Sequence, residues 1–222
     1  MNDTTWHIIS YPRSGNHLVR TIAEYTSGRP TLGCPNSKSD TPIYQKKPNK
    51  KSNLIQITNS RPIGLKSHFI HEILKHQRAH DPKNILLILR KPADAISSHC
   101  ARILASKTIP TKGFKQDLID KQISNYLSLV FSYKAMSAQE KSVVKFEALT
   151  GEQAIETVAR LSNLFATQPA SISDLTWKEL QICAKESQYS LPKKLERLRL
   201  EISTEIDERL PYEYIDEILN SN

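Results

Sequence analysis

The feature that most constrains this chain lies near its start, where an apolar run leads through a glycine-containing turn into a helical pattern. Residues 8–20 read Ile-Ile-Ser-Tyr-Pro-Arg-Ser-Gly-Asn-His-Leu-Val-Arg. This order predicts a buried strand, a tight turn and the first turn of a helix. Such a turn directs backbone N–H groups and a helix N-terminus toward one place, which favours an anion. Because Arg13 adds a permanent positive charge, the segment predicts an anion-binding site.

Short apolar runs alternate with helical patterns along the chain. The runs expected to form strands are Trp6–Ser10, Pro62–Phe69, Asn84–Leu89 and Ser142–Phe146. The third run is continuously apolar, which is typical of a strand buried on both faces of a parallel sheet. Strands separated by helices predict an α/β fold with a mainly parallel sheet. The strand ends that carry Ser10, Lys66 and Arg90 should then meet at one edge, where such folds bind ligands.

The length of 222 residues suits a single domain. We expect an α/β core over residues 6–166 and a helical C-terminal segment over residues 167–222. Thr150 and Gln153 have the spacing of a capping box, which predicts a helix start there. Residues 29–62 hold five prolines and predict a long loop, with a short strand at residues 54–57.

The composition narrows the class of protein. No apolar run approaches the ~20 residues of a membrane span, and no signal peptide is visible, so we expect a cytoplasmic protein. The three cysteines, Cys34, Cys100 and Cys183, form no CxxC pair, which disfavours a disulfide framework or a zinc site.

The net charge of +8 favours an anionic partner. Three partners remain open on this ground: a nucleic acid, an anionic membrane surface and a charged small molecule. Part of the charge is clustered at Lys46, Lys47, Lys50 and Lys51.

The first turn lacks the Walker pattern GxxxxGK[ST], which disfavours nucleotide hydrolysis of the usual P-loop kind. Its residues, Tyr11-Pro12-Arg13-Ser14-Gly15-Asn16, resemble instead the phosphosulfate-binding loop YPKSGTTW. That loop belongs to the sulfotransferases that use 3′-phosphoadenosine 5′-phosphosulfate (PAPS).

Further resemblances to this family follow in the family's order. Leu65-Lys66-Ser67-His68-Phe69 is similar to the KTH segment, whose histidine is the general base. Residues 89–99 resemble the second nucleotide motif, in which an arginine and a serine eight positions later hold the 3′-phosphate; Arg90 and Ser98 have that spacing. Residues 143–149 (Val-Val-Lys-Phe-Glu-Ala-Leu) are similar to the RYEDL corner between a strand and a helix.

The resemblance implies a three-layer, P-loop-like α/β fold that forms a single sulfotransferase-like domain over residues 1–222. Within it, residues 6–166 would bind the nucleotide. The family member would be a divergent one, of the bacterial or the carbohydrate type. Its donor would be PAPS, its nucleotide product 3′-phosphoadenosine 5′-phosphate (PAP), and no metal is required.

The resemblance also implies a role for each matched residue. His68 would be the general base, and Lys66 and Arg13 would stabilise the transition state. The donor would be bound by the loop and by the 3′-phosphate pair, which comprise Arg13, Ser14, Gly15, Asn16, His17, Arg90 and Ser98.

Some alternatives stay open. His71 and Glu72 rival His68 as the base. Leu18 stands where cytosolic members place a tryptophan associated with the adenine, and the chain has no RKGxxG segment, the family's third nucleotide element. The basic residues available in its place are Lys193, Lys194, Arg197 and Arg199. Arg20, one turn beyond the loop, is expected to be solvated or paired.

We therefore expect transfer of a sulfuryl group from PAPS to a hydroxyl or amine. The acceptor would be a saccharide or a lipid beneath the loop of residues 29–62, with peripheral membrane contact as one option. The alternatives are a P-loop small-molecule kinase and a non-catalytic, basic nucleic-acid-binding module; the second is disfavoured because no nucleic-acid-binding motif is present. The sequence leaves the oligomeric state open.

Overall fold

The computed structural model describes residues 5–33, 61–68, 84–105, 112–166, 172–186 and 193–221. The strands are β1 (Trp6–Ser10), β2 (Thr31–Gly33), β3 (Gly64–Ser67), β4 (Asn84–Leu89) and β5 (Glu140–Lys145). The helices are α1 (Asn16–Ser27), α2 (Pro92–Ala105), α3 (Lys112–Ala135), α4 (Phe146–Thr150), α5 (Ala154–Phe165), α6 (Asp174–Glu186), α7 (Glu196–Arg209) and α8 (Tyr212–Asn220), with a 3₁₀ turn at Lys193–Leu195.

The contacts divide the chain into two compact units. The first comprises Met1–Ser10, Gly15–Leu89 and Ala138–Gln188, and the second comprises Tyr11–Ser14, Arg90–Ser137 and Tyr189–Asn222. The single domain expected over residues 1–222 stays a prediction.

Among its described residues, the first unit contains a five-stranded sheet in the order β2-β3-β1-β4-β5, and every neighbouring pair is parallel. This confirms the predicted α/β fold class. All residues of β1 and β4 are buried, as the apolar runs predict. The register pairs Ile9 with Ser67 and Ser10 with Ile88. The carboxyl ends of β1, β3 and β4 therefore lie side by side at one edge of the sheet, as expected.

Helix α1 covers part of this sheet because its apolar residues recur at helical spacing. Leu18, Val19 and Ile22 are buried in a core cluster with residues of β1, β4, α5 and α6. The helix ends at Gly28, which has a φ of 62° and donates its N–H to the Glu24 carbonyl. Trp6 and Phe165 make an edge-to-face contact in the same cluster, with ring centroids 5.8 Å apart.

The second unit is helical in its described part. Helix α2 packs against α7 and α3, and α8 packs against α3. Ile96 and Cys100 of α2 and Ile202 and Ile206 of α7 are fully buried. The described residues after 172 are helical apart from short connections, as the sequence predicts for this part of the chain. Of these helices, α6 belongs to the first unit, and α7 and α8 belong to the second.

Two local predictions were wrong. Thr150 does not cap the following helix, because it ends α4 and its Oγ1 bonds the Phe146 carbonyl at 3.2 Å. The residue that precedes α5 is Gln153, which makes no side-chain cap. Strand β2 was not predicted, because its three residues after Pro30 are too few to show the alternation of apolar and polar residues that indicates a strand.

Several predictions lie outside the described residues. These concern the strand at 54–57, the lysine cluster at 46–51, Cys34, His71, Glu72 and the side chain of Cys183. Within the described ranges, no helix combines the length and the apolar character needed to cross a membrane.

Candidate active site

The turn between β1 and α1 has a strained backbone. Arg13 has a φ of 72°, in the left-handed region that non-glycine residues rarely enter. The Ser14 N–H group donates to the Tyr11 carbonyl at 3.2 Å, which closes a turn around Pro12 and Arg13. A left-handed non-glycine residue costs roughly 1–2 kcal/mol. Such strain concentrates at functional sites, where the surrounding contacts hold it.

Gly15 is required where this turn meets α1. Its φ is 86°, and a Cβ atom added there would lie 2.2 Å from the ring of Phe146. Helix α1 then begins at Asn16 with no side-chain cap from Gly15. The start of the helix thus keeps backbone N–H groups that no cap side chain occupies, as an anion-binding helix terminus requires.

Two buried polar atoms of the turn lack partners among the described residues. Ser14 Oγ and Asn16 Oδ1 make no hydrogen bond there, although Ser14 is fully buried and Asn16 is 7% exposed. An unsatisfied buried polar group costs about 1–3 kcal/mol. Ser14 Oγ can donate or accept a hydrogen bond, whereas Asn16 Oδ1 can only accept one.

The second unit brings together three residues that the sequence analysis assigned to donor binding. Arg13 Nε donates to Ser98 Oγ at 3.1 Å, and Arg90 Nη1 donates to the Arg13 carbonyl at 3.0 Å. Tyr126 in turn donates its hydroxyl to the Arg90 carbonyl at 2.6 Å. Two guanidinium groups and a serine hydroxyl thus form one cluster, named here the arginine–serine cluster (Arg13, Arg90 and Ser98).

An acidic residue links this cluster to α7. Asp94 lies 4.0 Å from Arg90 and 3.5 Å from Arg199. Arg199 also pairs with Glu196 at 2.6 Å. Hydrogen bonding to Glu196 is the main cause of a raised pKa of Arg199, and Asp94 contributes as well. Of the basic residues considered in place of an RKGxxG segment, Arg199 reaches Asp94 but is balanced by carboxylates.

The ring of Tyr11 anchors the start of the turn in the second unit. Its hydroxyl donates to Gln122 Oε1 at 2.8 Å, and its ring lies 5.7 Å from that of His99 and 5.2 Å from that of Tyr126. Burial raises the pKa of Tyr11 above its usual range. Burial is also the main cause that lowers the pKa of His99 to about 4, with Arg102 and Arg13 adding to it.

In the first unit, His68 lies directly after β3 and contacts the last residue of β1. Its Nδ1 atom lies 2.8 Å from the Ser10 carbonyl oxygen and 3.4 Å from Ser10 Oγ. Because a carbonyl oxygen can only accept, Nδ1 must carry the hydrogen in this arrangement. In the neutral ring, Nε2 then holds the lone pair that a general base needs.

The remaining predicted site residues are placed by the same elements. Lys66 lies in β3, is partly exposed and pairs in register with Ile8. His17 lies in the first turn of α1 and is also partly exposed. The structure thus brings His68 to Ser10 and brings Arg13, Arg90 and Ser98 together.

Sequence reasoning placed Ser10 at the ligand-binding edge and Tyr11 in the loop motif but gave neither residue a role in the site, and it missed Phe146. The contact of Ser10 with His68 joins residues 58 positions apart, and no local pattern encodes it. No local pattern indicated a role for Phe146, because Gly15, which its ring faces, lies far away in the sequence.

The comparisons with known proteins define the class of fold. The crystal structure of mouse sulfotransferase SULT7A1 complexed with PAP matches 98% of this chain and 88% of its own, with a TM-score of 0.51 and 10% sequence identity. The chain therefore has the fold of a sulfotransferase. No family model matches the sequence, and no curated protein matches it either.

Proposed function

We propose that this protein transfers a sulfuryl group from PAPS to a hydroxyl or amine of an acceptor. The observation that carries the proposal is the arginine–serine cluster, which joins the strained turn after β1 to the start of α2. The Arg13 guanidinium contacts the Ser98 hydroxyl, and the Arg90 guanidinium contacts the Arg13 carbonyl. Guanidinium groups suit a phosphate because each can donate two parallel hydrogen bonds to it. The fold of a sulfotransferase that was crystallised with PAP supports the same donor.

The turn would hold the 5′ end of the donor. Backbone N–H groups at the start of α1, with Ser14 and Asn16, would bind the phosphate whose charge grows as the sulfuryl group leaves. Ser14 Oγ has no partner among the described residues and can donate a hydrogen bond to a phosphate oxygen, so it fits this role. Sulfuryl transfer depends mainly on positioning and charge stabilisation, as phosphoryl transfer does.

His68 would act on the acceptor. Its Nε2 would take the proton of the acceptor hydroxyl while the acceptor oxygen forms a bond to sulfur. The bond between sulfur and the bridging oxygen of the donor breaks, and PAP leaves with that electron pair. Lys66 would place a positive charge near this bridging oxygen. The hydrogen bond from Nδ1 to the Ser10 carbonyl supports this role because it assigns the lone pair to Nε2.

The identity of the acceptor stays a proposal from composition. A saccharide or a lipid is proposed, with the basic loop of residues 29–62 as its neighbour. The absence of a metal requirement and the cytoplasmic location also stay predictions.

A comparison of ligands tests the proposal. The melting temperature would be measured with PAP, with ATP and magnesium, with a single-stranded oligonucleotide and with no addition. A ligand at 100 times its dissociation constant adds about 2.7 kcal/mol, which gives a clear shift. We expect a shift with PAP alone. A shift with ATP and magnesium only would favour a kinase, and salt-sensitive oligonucleotide binding alone would favour a nucleic-acid-binding module.

A further inference from the structure

The chain departs from the sulfotransferase pattern in two respects. Arg13 stands where the loop usually has a lysine, and no RKGxxG segment is present. We infer that the Arg13 side chain binds the remote 3′-phosphate of the donor, together with Ser98 and Arg90, and thereby sets selectivity for 3′-phosphorylated nucleotides. This inference rests on the proposed function and changes the role that the sequence assigned to Arg13.

The contact of Arg13 with Ser98 gives the direction of the side chain. Its Nε atom lies 3.1 Å from Ser98 Oγ, on α2. Ser98 is the residue assigned to the 3′-phosphate, and it is 6% exposed. A guanidinium has five N–H donors in a fixed plane, so one group can bind a serine hydroxyl and a phosphate oxygen together. A lysine ammonium is a point charge and has no such fork.

The backbone of Arg13 fixes the same arrangement. Its φ of 72° reverses the chain direction locally. Arg90 Nη1 holds the Arg13 carbonyl at 3.0 Å. The Arg90 guanidinium therefore contacts the backbone of Arg13, and Ser98 contacts the side chain of the same residue. Strain at one residue is retained because two side-chain contacts converge on it.

Arg199 is the rival cation for the missing third element. It lies in α7 and approaches Asp94, one turn beyond Arg90. Its charge is balanced by Glu196 at 2.6 Å and Asp94 at 3.5 Å. A phosphate would have to compete with two carboxylates there, at a cost in like-charge repulsion. Arg13 Nε instead contacts the neutral hydroxyl of Ser98 at 3.1 Å, on the residue assigned to the 3′-phosphate.

The inference is tested by the affinities of two nucleotides that differ only in the 3′-phosphate. Calorimetry would give the dissociation constants of PAP and of adenosine 5′-phosphate for the wild-type protein and for Arg13→Asn, Arg13→Lys and Arg199→Gln. Asparagine is chosen because it tolerates the left-handed backbone. We expect Arg13→Asn to weaken PAP binding by about 30-fold, the scale of a lost charged hydrogen bond, and adenosine 5′-phosphate binding by less than about threefold.

The other variants sharpen the test. Arg13→Lys should lose part of the PAP affinity, and Arg199→Gln should keep it within about threefold, because that guanidinium is already paired. An equal loss of both nucleotides in Arg13→Asn would assign Arg13 to the 5′ end and overturn the inference. A selective loss in Arg199→Gln with none in Arg13→Asn would also overturn it.

Two measurements keep the outcome interpretable. If the wild-type protein binds PAP no better than adenosine 5′-phosphate, the proposed function itself fails, which is distinct from the failure of the Arg13 assignment. If Arg13→Asn does not fold, Ser98→Ala replaces it, since alanine suits the interior of α2. A selective loss of PAP affinity in Ser98→Ala, together with a larger loss in Arg13→Lys, supports the inference; full affinity in both contradicts it.

Discussion

The Nδ1–H group of His68 donates a hydrogen bond to the backbone carbonyl of Ser10, with 2.8 Å between nitrogen and oxygen. Strands β3 and β1 are neighbours in the sheet, so this bond joins the ends of two parallel strands. It fixes both the tautomer and the orientation of the imidazole ring. Because the Ser10 carbonyl orients the imidazole ring, no carboxylate is needed for that purpose.

His68→Ala should remove turnover and leave donor binding intact. We expect the rate of PAP formation to fall by about 10²-fold or more, because a general base is lost. The dissociation constant of PAP should change by less than about twofold, since the Ser10 contact is not part of the anion turn. Initial rates and calorimetry check the two parts.

A matched variant, Glu72→Ala, controls for the rival base. It should keep most of the activity. If Glu72→Ala removes turnover while His68→Ala keeps it, the base has been misassigned. Loss of PAP binding in His68→Ala would instead place His68 in the donor site.

Gly15→Ala should destabilise the fold and damage the anion turn. The new Cβ would lie 2.2 Å from the Phe146 ring at a φ of 86°. Strain and overpacking together should lower the free energy of unfolding by about 2–4 kcal/mol. Urea denaturation would measure this change, and calorimetry with PAP would show weaker binding in the folded fraction.

Gly113→Ala is the matched control for this variant. Among the described residues, a Cβ added at Gly113, in α3, meets no atom within 4 Å beyond its chain neighbours and the backbone of its own helix. We expect the free energy of unfolding to stay the same or to rise by up to about 1 kcal/mol, because alanine has a higher helix propensity than glycine. Equal loss of stability in both variants would show that the Phe146 contact is not the cause.

The parts of the site that the sequence predicted are local. The strand, turn and helix of residues 6–27 could be predicted because the spacing of apolar residues and one glycine suffice to define them. The contact of Arg13 with Ser98 spans 85 positions, and no local pattern encodes it. The prediction for Thr150 failed because the short helix α4 ends there, so its hydroxyl bonds backward to Phe146.

Arg20 illustrates the same limit in the core of the first unit. The sequence allowed a solvated or a paired residue, and the structure shows a fully buried, paired one. Its Nε donates to Thr31 Oγ1 at 2.9 Å, and its Nη2 to the Thr31 carbonyl at 3.1 Å. The Thr31 hydroxyl and N–H group both bond to Glu24, which is also fully buried. The partner strand β2 is too short to be predicted.

Thr31→Val should therefore lower the free energy of unfolding far more than a surface substitution does. Valine keeps the shape and removes the hydroxyl that joins Arg20 to Glu24, so two buried ionisable groups lose a partner. We expect a loss of about 2–4 kcal/mol in the free energy of unfolding. Thr21→Val, which removes only a hydroxyl bonded within α1 to the His17 carbonyl, should cost less than about 1 kcal/mol. Urea midpoints compare them, and equal costs would refute the bridging role of Thr31.

His99 should make the protein less stable in weak acid. Burial lowers the pKa of His99 to about 4 from 6.5, and its buried Nδ1 has no hydrogen-bond partner in the described part of the chain. The unfolded chain binds a proton at this site as the pH falls through 6.5, whereas the folded protein resists protonation until about pH 4.

The stability that the neutral ring provides is therefore complete above pH 6.5 and is lost as the pH falls toward 4. Between pH 7.5 and 5.0 this linkage should remove about 2 kcal/mol from the free energy of unfolding. His99→Gln cannot take up the proton, so its urea midpoint should fall less over the same interval. If the wild-type protein and His99→Gln lose equal stability between the two pH values, the acid sensitivity does not arise at His99.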